Sequence, residues 1–304
     1  MKPPILVTGA HRSGTSWIGR VLSASPDLAY ISEPLNVMHR PGVLREPVDN
    51  WYTYICEENQ SSFLPAFNDI LNFRYHFGLE LKSLRSIKDT GRMLRDIGRF
   101  ADGRFRGARP LFKDPFAIFS APWFAGQLDC QVVIAVRHPL AFVSSLKRLG
   151  WNFDFHDLLA QPLLMRDYLE PFREDMVANP KDVIAQGSLL WRMVYAVVDC
   201  YRDSNPEFMV VRHEDLSRDP VGGFRDLYTS LGLAFTPKEQ HTLKNFSQSG
   251  NPEELSIKKV HAVKLDSQAN LSNWKKRLTE NEVNRIRHLT SDVASAFYPE
   301  VSWE

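Results

Sequence analysis

The chain has 304 residues, 43% of them hydrophobic and 24% charged, ordinary values for a globular protein long enough for one large α/β domain. Lys and Arg number 37 against 36 Asp and Glu, a net charge of +1, which excludes a broad basic face for nucleic acid and makes any anion-binding surface local. Three dispersed cysteines (Cys56, Cys130, Cys200) fit neither a disulfide framework nor a metal knuckle. No run of about eighteen apolar residues predicts a membrane span, and the first strand starts too early to leave room for a signal peptide. The expected compartment is the cytoplasm.

In chain order, Ile5-Leu6-Val7 reads as a short buried strand, Gly9 opens a turn, and Gly14-Thr15-Ser16 leads into a helix with apolar residues at Trp17, Ile18, Val21 and Leu22. A strand, a glycine-containing loop and a helix N-terminus together make an anion site, with loop amides and helix dipole aimed at the ligand. The spacing from Gly9 to Gly14 matches a nucleotide P-loop, but Thr15 stands where that loop has its lysine. An NTPase is therefore disfavoured. The cation in the loop is Arg12, whose guanidinium suits phosphate or sulfate oxygens.

Leu28 to Ile31 predicts a second strand, ending at Ser32-Glu33-Pro34. The stretch 35–108 is aromatic-rich, with helical spacing, and reads as an insertion packed over the sheet. Pro110 to Pro115 predicts a third strand. Gln131 to Val136 (QVVIAV) is the clearest buried strand and ends in Arg137-His138-Pro139, with Pro139 placed to start a helix. A second variable region, 151–190, is placed to cover the site. A long helix is expected over 181–202, a fifth strand over 208–211, a helix after Asp219-Pro220, and a last helix over 279–297 announced by a Thr279…Glu282 capping box. Strands alternating with helices predict one α/β domain over 1–304, a P-loop-like parallel β-sheet flanked by helices on both faces.

Ligands of a parallel sheet gather beyond the carboxyl ends of its strands. Arg137 stands at such an end and Ser145 about two helical turns on, able to grip a second phosphate apart from the one at the first loop.

RSGTSW followed by R-x-P-x-x-x-x-x-S (Arg137, Pro139, Ser145) resembles the sulfotransferases that use 3′-phosphoadenosine-5′-phosphosulfate (PAPS). The resemblance implies that Arg12, Ser13, Gly14, Thr15, Ser16 and Trp17 bind the 5′-phosphosulfate, and that Arg137 and Ser145 bind the 3′-phosphate. It implies no metal. Aryl and steroid sulfotransferases carry K-T-H at the end of the third strand; here that segment reads Lys113-Asp114-Pro115, so the histidine is missing. Glu33-Pro34, twenty-one residues after Arg12, resembles instead the carbohydrate 6-O-sulfotransferases and tyrosylprotein sulfotransferases. By that likeness Glu33 is the general base and Lys113 stabilises the transferring sulfuryl group, with an ion pair to Asp114 as the plainer reading of Lys113. VVRHEDLSRDP resembles the family's strand-five motif, with His213 where the family has Tyr; Trp274 and Lys275 fall in a segment similar to its late W-K motif.

The implied reaction moves a sulfuryl group from PAPS to a hydroxyl of a carbohydrate or small molecule. A nucleotide or metabolite kinase and a catalytically silent nucleotide-binding module are the alternatives. Thr15 weighs against the first, Glu33 with Lys113 against the second.

Overall fold

A computed structural model describes residues 2–38, 40–254, 264–298 and 303. Five parallel strands, β1 (Ile5–Gly9), β2 (Leu28–Ser32), β3 (Arg109–Lys113), β4 (Gln131–Val136) and β5 (Met209–Arg212), form one sheet in the order β2-β3-β1-β4-β5. Between them run α1 (Thr15–Leu22), α2 (Gln60–Leu71), α3 (Phe77–Ser83), α4 (Ile87–Arg106), α5 (Ala121–Leu128) and α6 (Pro139–Leu149). Short turns α7 (His156–Leu159), α8 (Pro162–Leu164) and α9 (Arg173–Ala178) precede the long α10 (Val183–Ser204). After β5 come α11 (His213–Arg218), α12 (Pro220–Ser230), α13 (Pro237–Ser247) and α14 (Glu280–Phe297).

Side chains alternate across a strand, so each strand feeds two cores. Ile5, Val7, Val133 and Ala135 pack with Ile18, Phe224 and Tyr228 on one face. Leu6, Val132, Ile134 and Val136 pack with Phe124, Phe142, Trp191 and Tyr195 on the other. The predicted α/β architecture with helices on both faces is what the chain adopts.

Boundaries move by a residue or two for local reasons. The long helix starts at Val183 because the Asp182 carboxylate accepts from Ala185 N at 3.1 Å and caps it. The third strand stops at Lys113 because Asp114 turns the chain, its carboxylate accepting from Phe116 N at 3.0 Å. The Thr279 capping box is present, with Thr279 N donating to Glu282 at 2.8 Å. The stretch 35–108 holds α2 to α4; Phe67 packs edge-on to Phe112 and Phe124, while Phe77 is half exposed. Part of the late segment, 255–263, lies outside the described residues.

Among the described residues α10 is the helix long and apolar enough to cross a membrane, with mean hydropathy 1.2, but 67% of that window is buried inside the protein. Trp191 and Tyr195 show what the burial does: Trp191 Nε1 donates to Arg137 O at 2.8 Å and Tyr195 Oη to Ala135 O at 3.0 Å. The helix thereby pins the carboxyl end of β4.

Candidate active site: an arginine cleft and a Glu–Lys pair

Registry brings the strand ends to one edge: Gly9 lies beside Ala135, Val7 and Ser32 each beside Lys113, and Val136 beside Arg212. From β1 the chain goes first to the edge strand β2, returns to β3 between them, then crosses to β4 on the other side of β1. The crevice between β1 and β4 is thus a topological switch point.

The loop after β1 reaches into that crevice. Gly9 allows it, because a Cβ there would meet Ala135 O at 2.4 Å. Arg12 adopts φ 70 and Gly14 φ 104, left-handed values rare for a side chain like arginine's. Gly14 also leaves room for His213, whose Nδ1 would lie 2.5 Å from a Cβ at that position.

Arg12, Gly14, Thr15, Ser16, Trp17, Arg137 and Ser145 line one open cleft with a cavity of about 120 Å³. Ser13 is not in this lining and is fully buried. Arg12 Nε donates to Ser145 Oγ at 3.2 Å, and Arg137 Nη1 donates to Arg12 O at 2.9 Å, which ties the two predicted anion sites together. Burial, then the charges of Arg137 and Arg148, lowers the Arg12 pKa to about 10. The Arg137 guanidinium is likewise shifted down by burial, and its Nε is sealed without a partner. Both remain charged at neutral pH, and their crowding favours a multiply charged anion.

Sequence reasoning missed six of the fourteen residues of this lining. Arg148 and Arg277 also face the cleft, bridged by Glu254, with Arg148 3.3 Å from its carboxylate. Arg277 Nη1 donates to Ser144 Oγ at 3.1 Å. Arg148 was findable: Ser144, Ser145 and Arg148 share one face of α6 at three- and four-residue spacing. Asn270, Ser267, Phe246 and Leu265 complete the lining. Trp274 and Lys275, singled out from the tail, are not in it; Lys275 lies over the Trp274 ring at 5.5 Å. The useful residues of that segment are Asn270 and Arg277.

His213 does line the cleft, edge-on to Trp17 at 5.5 Å. Burial lowers its pKa to about 3, so it packs against the loop as a neutral ring.

Glu33 and Lys113 meet each other. The Lys113 ammonium donates to Glu33 Oε1, and Asn36 Nδ2 donates to Oε2 at 2.8 Å. Glu33 has φ 52 and its N donates to Lys113 O at 2.8 Å, so the turn after β2 is clamped against β3. Asp114 is not the hydrogen-bonded partner of Lys113. Its two oxygens accept from Leu35 N at 2.6 Å and Phe116 N at 3.0 Å, and burial, then the Glu33 charge, raises its pKa to about 7. Asp114 therefore fixes the Glu33-Pro34 turn.

The Lys113 stem passes over α1 at Gly19, where a Cβ would lie 2.9 Å from Lys113 Cγ. Gly19→Ala is expected to displace this stem and lower turnover about tenfold while leaving nucleotide binding unchanged. Turnover and nucleotide titrations of the variant check it, and an unaltered rate would mean the ammonium does not need this path. Among the described residues no group of three or more His, Cys, Asp or Glu could hold a metal ion.

The second variable region touches the site at its start. The Trp151 ring lies 5.8 Å from the Arg12 guanidinium and 6.3 Å from the His11 ring.

The sulfotransferase family profile matches residues 3–237. Human carbohydrate sulfotransferase 2 (Homo sapiens) is 26% identical over 200 residues, covering 58% of this chain and 34% of that protein. Carbohydrate sulfotransferase 1 of Danio rerio is 30% identical over 77 residues, 25% of this chain and 18% of that protein. The chain thus spans about a third of the length of the human relative, and the match to the zebrafish one is shorter still. Among solved structures, the sulfotransferase domain of the Synechococcus PCC 7002 olefin synthase superimposes with TM-score 0.47 at 16% identity, over 99% of both chains. A sulfotransferase from Alicyclobacillus acidocaldarius gives 0.46 at 16% identity, over 98% of this chain and 95% of that one. The match of the family profile to more than two thirds of the residues, with the loop and the Arg137 motif inside it, identifies this chain as a member of the sulfotransferase family.

Proposed function

We propose that the protein transfers a sulfuryl group from PAPS to a hydroxyl of a carbohydrate or other small molecule. The observation that carries this reading is the cleft itself: two cationic grips, the Arg12 loop and Arg137 with Ser145, in one crevice, and no P-loop lysine. A donor with two separated anionic groups needs both grips. Arg12 and the amides of the α1 N-terminus take the 5′-phosphosulfate, and Arg137 with Ser145 takes the 3′-phosphate. Arg277 and Arg148 extend the second grip. Trp17, Phe246 and Leu265 give the base an apolar wall.

Transfer runs in line. The acceptor oxygen attacks sulfur, its proton passes to the Glu33 carboxylate, and the bond from sulfur to the phosphate oxygen breaks to release 3′,5′-adenosine bisphosphate. The Lys113 ammonium pairs with the Glu33 carboxylate and orients it. The same cation stands ready for charge developing on the leaving oxygen. Carbohydrate acceptors are favoured by the curated relatives and by the exposed Trp151 ring beside the Arg12 loop.

The test is release of the bisphosphate from PAPS with sugars and phenols as acceptors. Acceptor-dependent release supports the reading. Tight bisphosphate binding with no turnover would favour a silent module, and Mg-dependent phosphorylation from ATP would overturn the proposal.

A further inference from the structure

His11 precedes Arg12 in the loop after β1. His11 is held in a ring of aromatic side chains, with Tyr52, Phe116, Phe142, Trp151 and Phe153 at 5.8–6.4 Å between ring centroids. Its Nδ1 lies 2.6 Å from the Tyr52 hydroxyl, and its backbone N donates to the same oxygen at 3.2 Å.

These two contacts fix the tautomer. Tyr52 is fully buried, so its hydroxyl proton needs an acceptor, and its oxygen already accepts from the His11 amide. The acceptor within reach is Nδ1, so the imidazole proton sits on Nε2. Tyr52 reaches this place through a left-handed backbone, φ 58, as does Arg12 at φ 70 and Glu33 at φ 52. Strain of this kind, about 1–3 kcal/mol each, collects at functional sites. Nε2 itself makes no hydrogen bond and is not among the sealed polar atoms, so its N–H is open to a ligand.

His11 is next in the chain to Arg12, and the Trp151 ring touches both of them. On its other side the Phe116 ring stacks at 6.4 Å, and the Phe116 amide shares the Asp114 carboxylate with Leu35 N of the Glu33-Pro34 turn. Burial is the largest cause holding its pKa down at about 4, so the ring is uncharged at neutral pH.

We propose that His11 is a further catalytic residue: its Nε2–H donates to the acceptor hydroxyl oxygen, and Tyr52 is the positioning residue that holds the ring in that tautomer. This rests on the sulfotransferase reading above. The acceptor oxygen then gives its proton to Glu33, accepts one hydrogen bond from His11, and directs its remaining lone pair at sulfur. An uncharged donor orients the oxygen without the loss of nucleophilicity that a full cation would impose, the logic of neutral imidazoles used as electrophiles elsewhere.

The experiment uses the full chain with radiolabelled PAPS and two acceptor probes, N-acetylglucosamine and para-nitrophenol. His11→Phe keeps an aromatic ring in the aromatic surround and removes the donor; His11→Gln restores an N–H at similar reach. The expected result is a loss of about 10²-fold in kcat/KM for the acceptor with Phe, the size of one oriented donor removed. Gln should recover at least about tenfold of that. Bisphosphate affinity should stay constant in both. Turnover by His11→Phe within about twofold of wild type, or an equal loss of bisphosphate affinity, would overturn the proposal.

If wild type binds the bisphosphate yet sulfates neither probe, the acceptor class proposed above is what fails, and His11 is decided by the ring itself. Nitrogen NMR of the bisphosphate complex should show the Nε2–H tautomer in wild type and a tautomer mixture in Tyr52→Phe. A mixture in wild type, or an unchanged ring in Tyr52→Phe, would contradict the assignment.

Discussion

Replacing Glu33 by Gln lowers kcat by about 10²–10⁴-fold, the range of a positioned general base, while affinity for 3′,5′-adenosine bisphosphate stays within about twofold of wild type. The substitution preserves the shape of the side chain and its contact with Asn36 Nδ2, so the turn after β2 survives. What it removes is the charge opposite the Lys113 ammonium, whose side chain is 3% exposed. An unpaired ammonium so deeply buried costs stability, on the order of 3 kcal/mol when one partner of a buried pair is removed. Glu33→Gln is therefore expected to melt lower than wild type. A variant of full activity would move the base elsewhere.

Arg137→Ala is expected to weaken bisphosphate binding by about 10²-fold, roughly 2–4 kcal/mol for a buried, charge-assisted contact. Affinity for adenosine 5′-phosphosulfate, which lacks the 3′-phosphate, should fall less than about threefold. The comparison matters because it separates support of the first loop from reading of the 3′-phosphate. Arg137 Nη1 supports Arg12 O at 2.9 Å, whereas its Nε is buried with no partner. Equal losses for both ligands would mean that Arg137 acts by holding the first loop and not by reading the 3′-phosphate.

The Arg137 turn is over-determined by the fold. Its carbonyl accepts from Trp191 Nε1, His138 N donates to Glu214 at 3.0 Å, and Tyr298 Oη holds the other Glu214 oxygen at 2.8 Å. Three elements far apart in sequence meet at one strand end, which is how a surface arginine becomes a buried, oriented one.

Much of this was legible in the chain. QVVIAV shows a buried parallel strand by its unbroken apolar run, and Asp182, Asp219 and Thr279 mark helix starts by their capping chemistry. The loop from Gly9 to Gly14 could be read because glycine spacing and the following helix are local features. Contacts between distant segments could not. The pairing of Lys113 with Glu33 depends on β2 lying beside β3, and no spacing rule distinguishes it from a pair with Asp114. Arg277 enters the cleft from 140 residues beyond Arg137, and Tyr52 reaches His11 from an insertion 41 residues on. Trp274 was conspicuous in the sequence, yet it packs against the core while its neighbour Arg277 faces the cleft. Helical phase over a short stretch decides that, and composition does not.

The central claim is that one cleft holds a nucleotide by two separate anionic groups. A thermal-shift titration with 3′,5′-adenosine bisphosphate beside Mg-ATP tests it most directly, because a ligand that binds only the folded state raises stability with the logarithm of saturation. A rise of about 2.7 kcal/mol at a hundredfold excess over Kd with the bisphosphate, and none with Mg-ATP, is the predicted result. A rise with Mg-ATP alone would contradict the two-anion site and return the chain to the kinases.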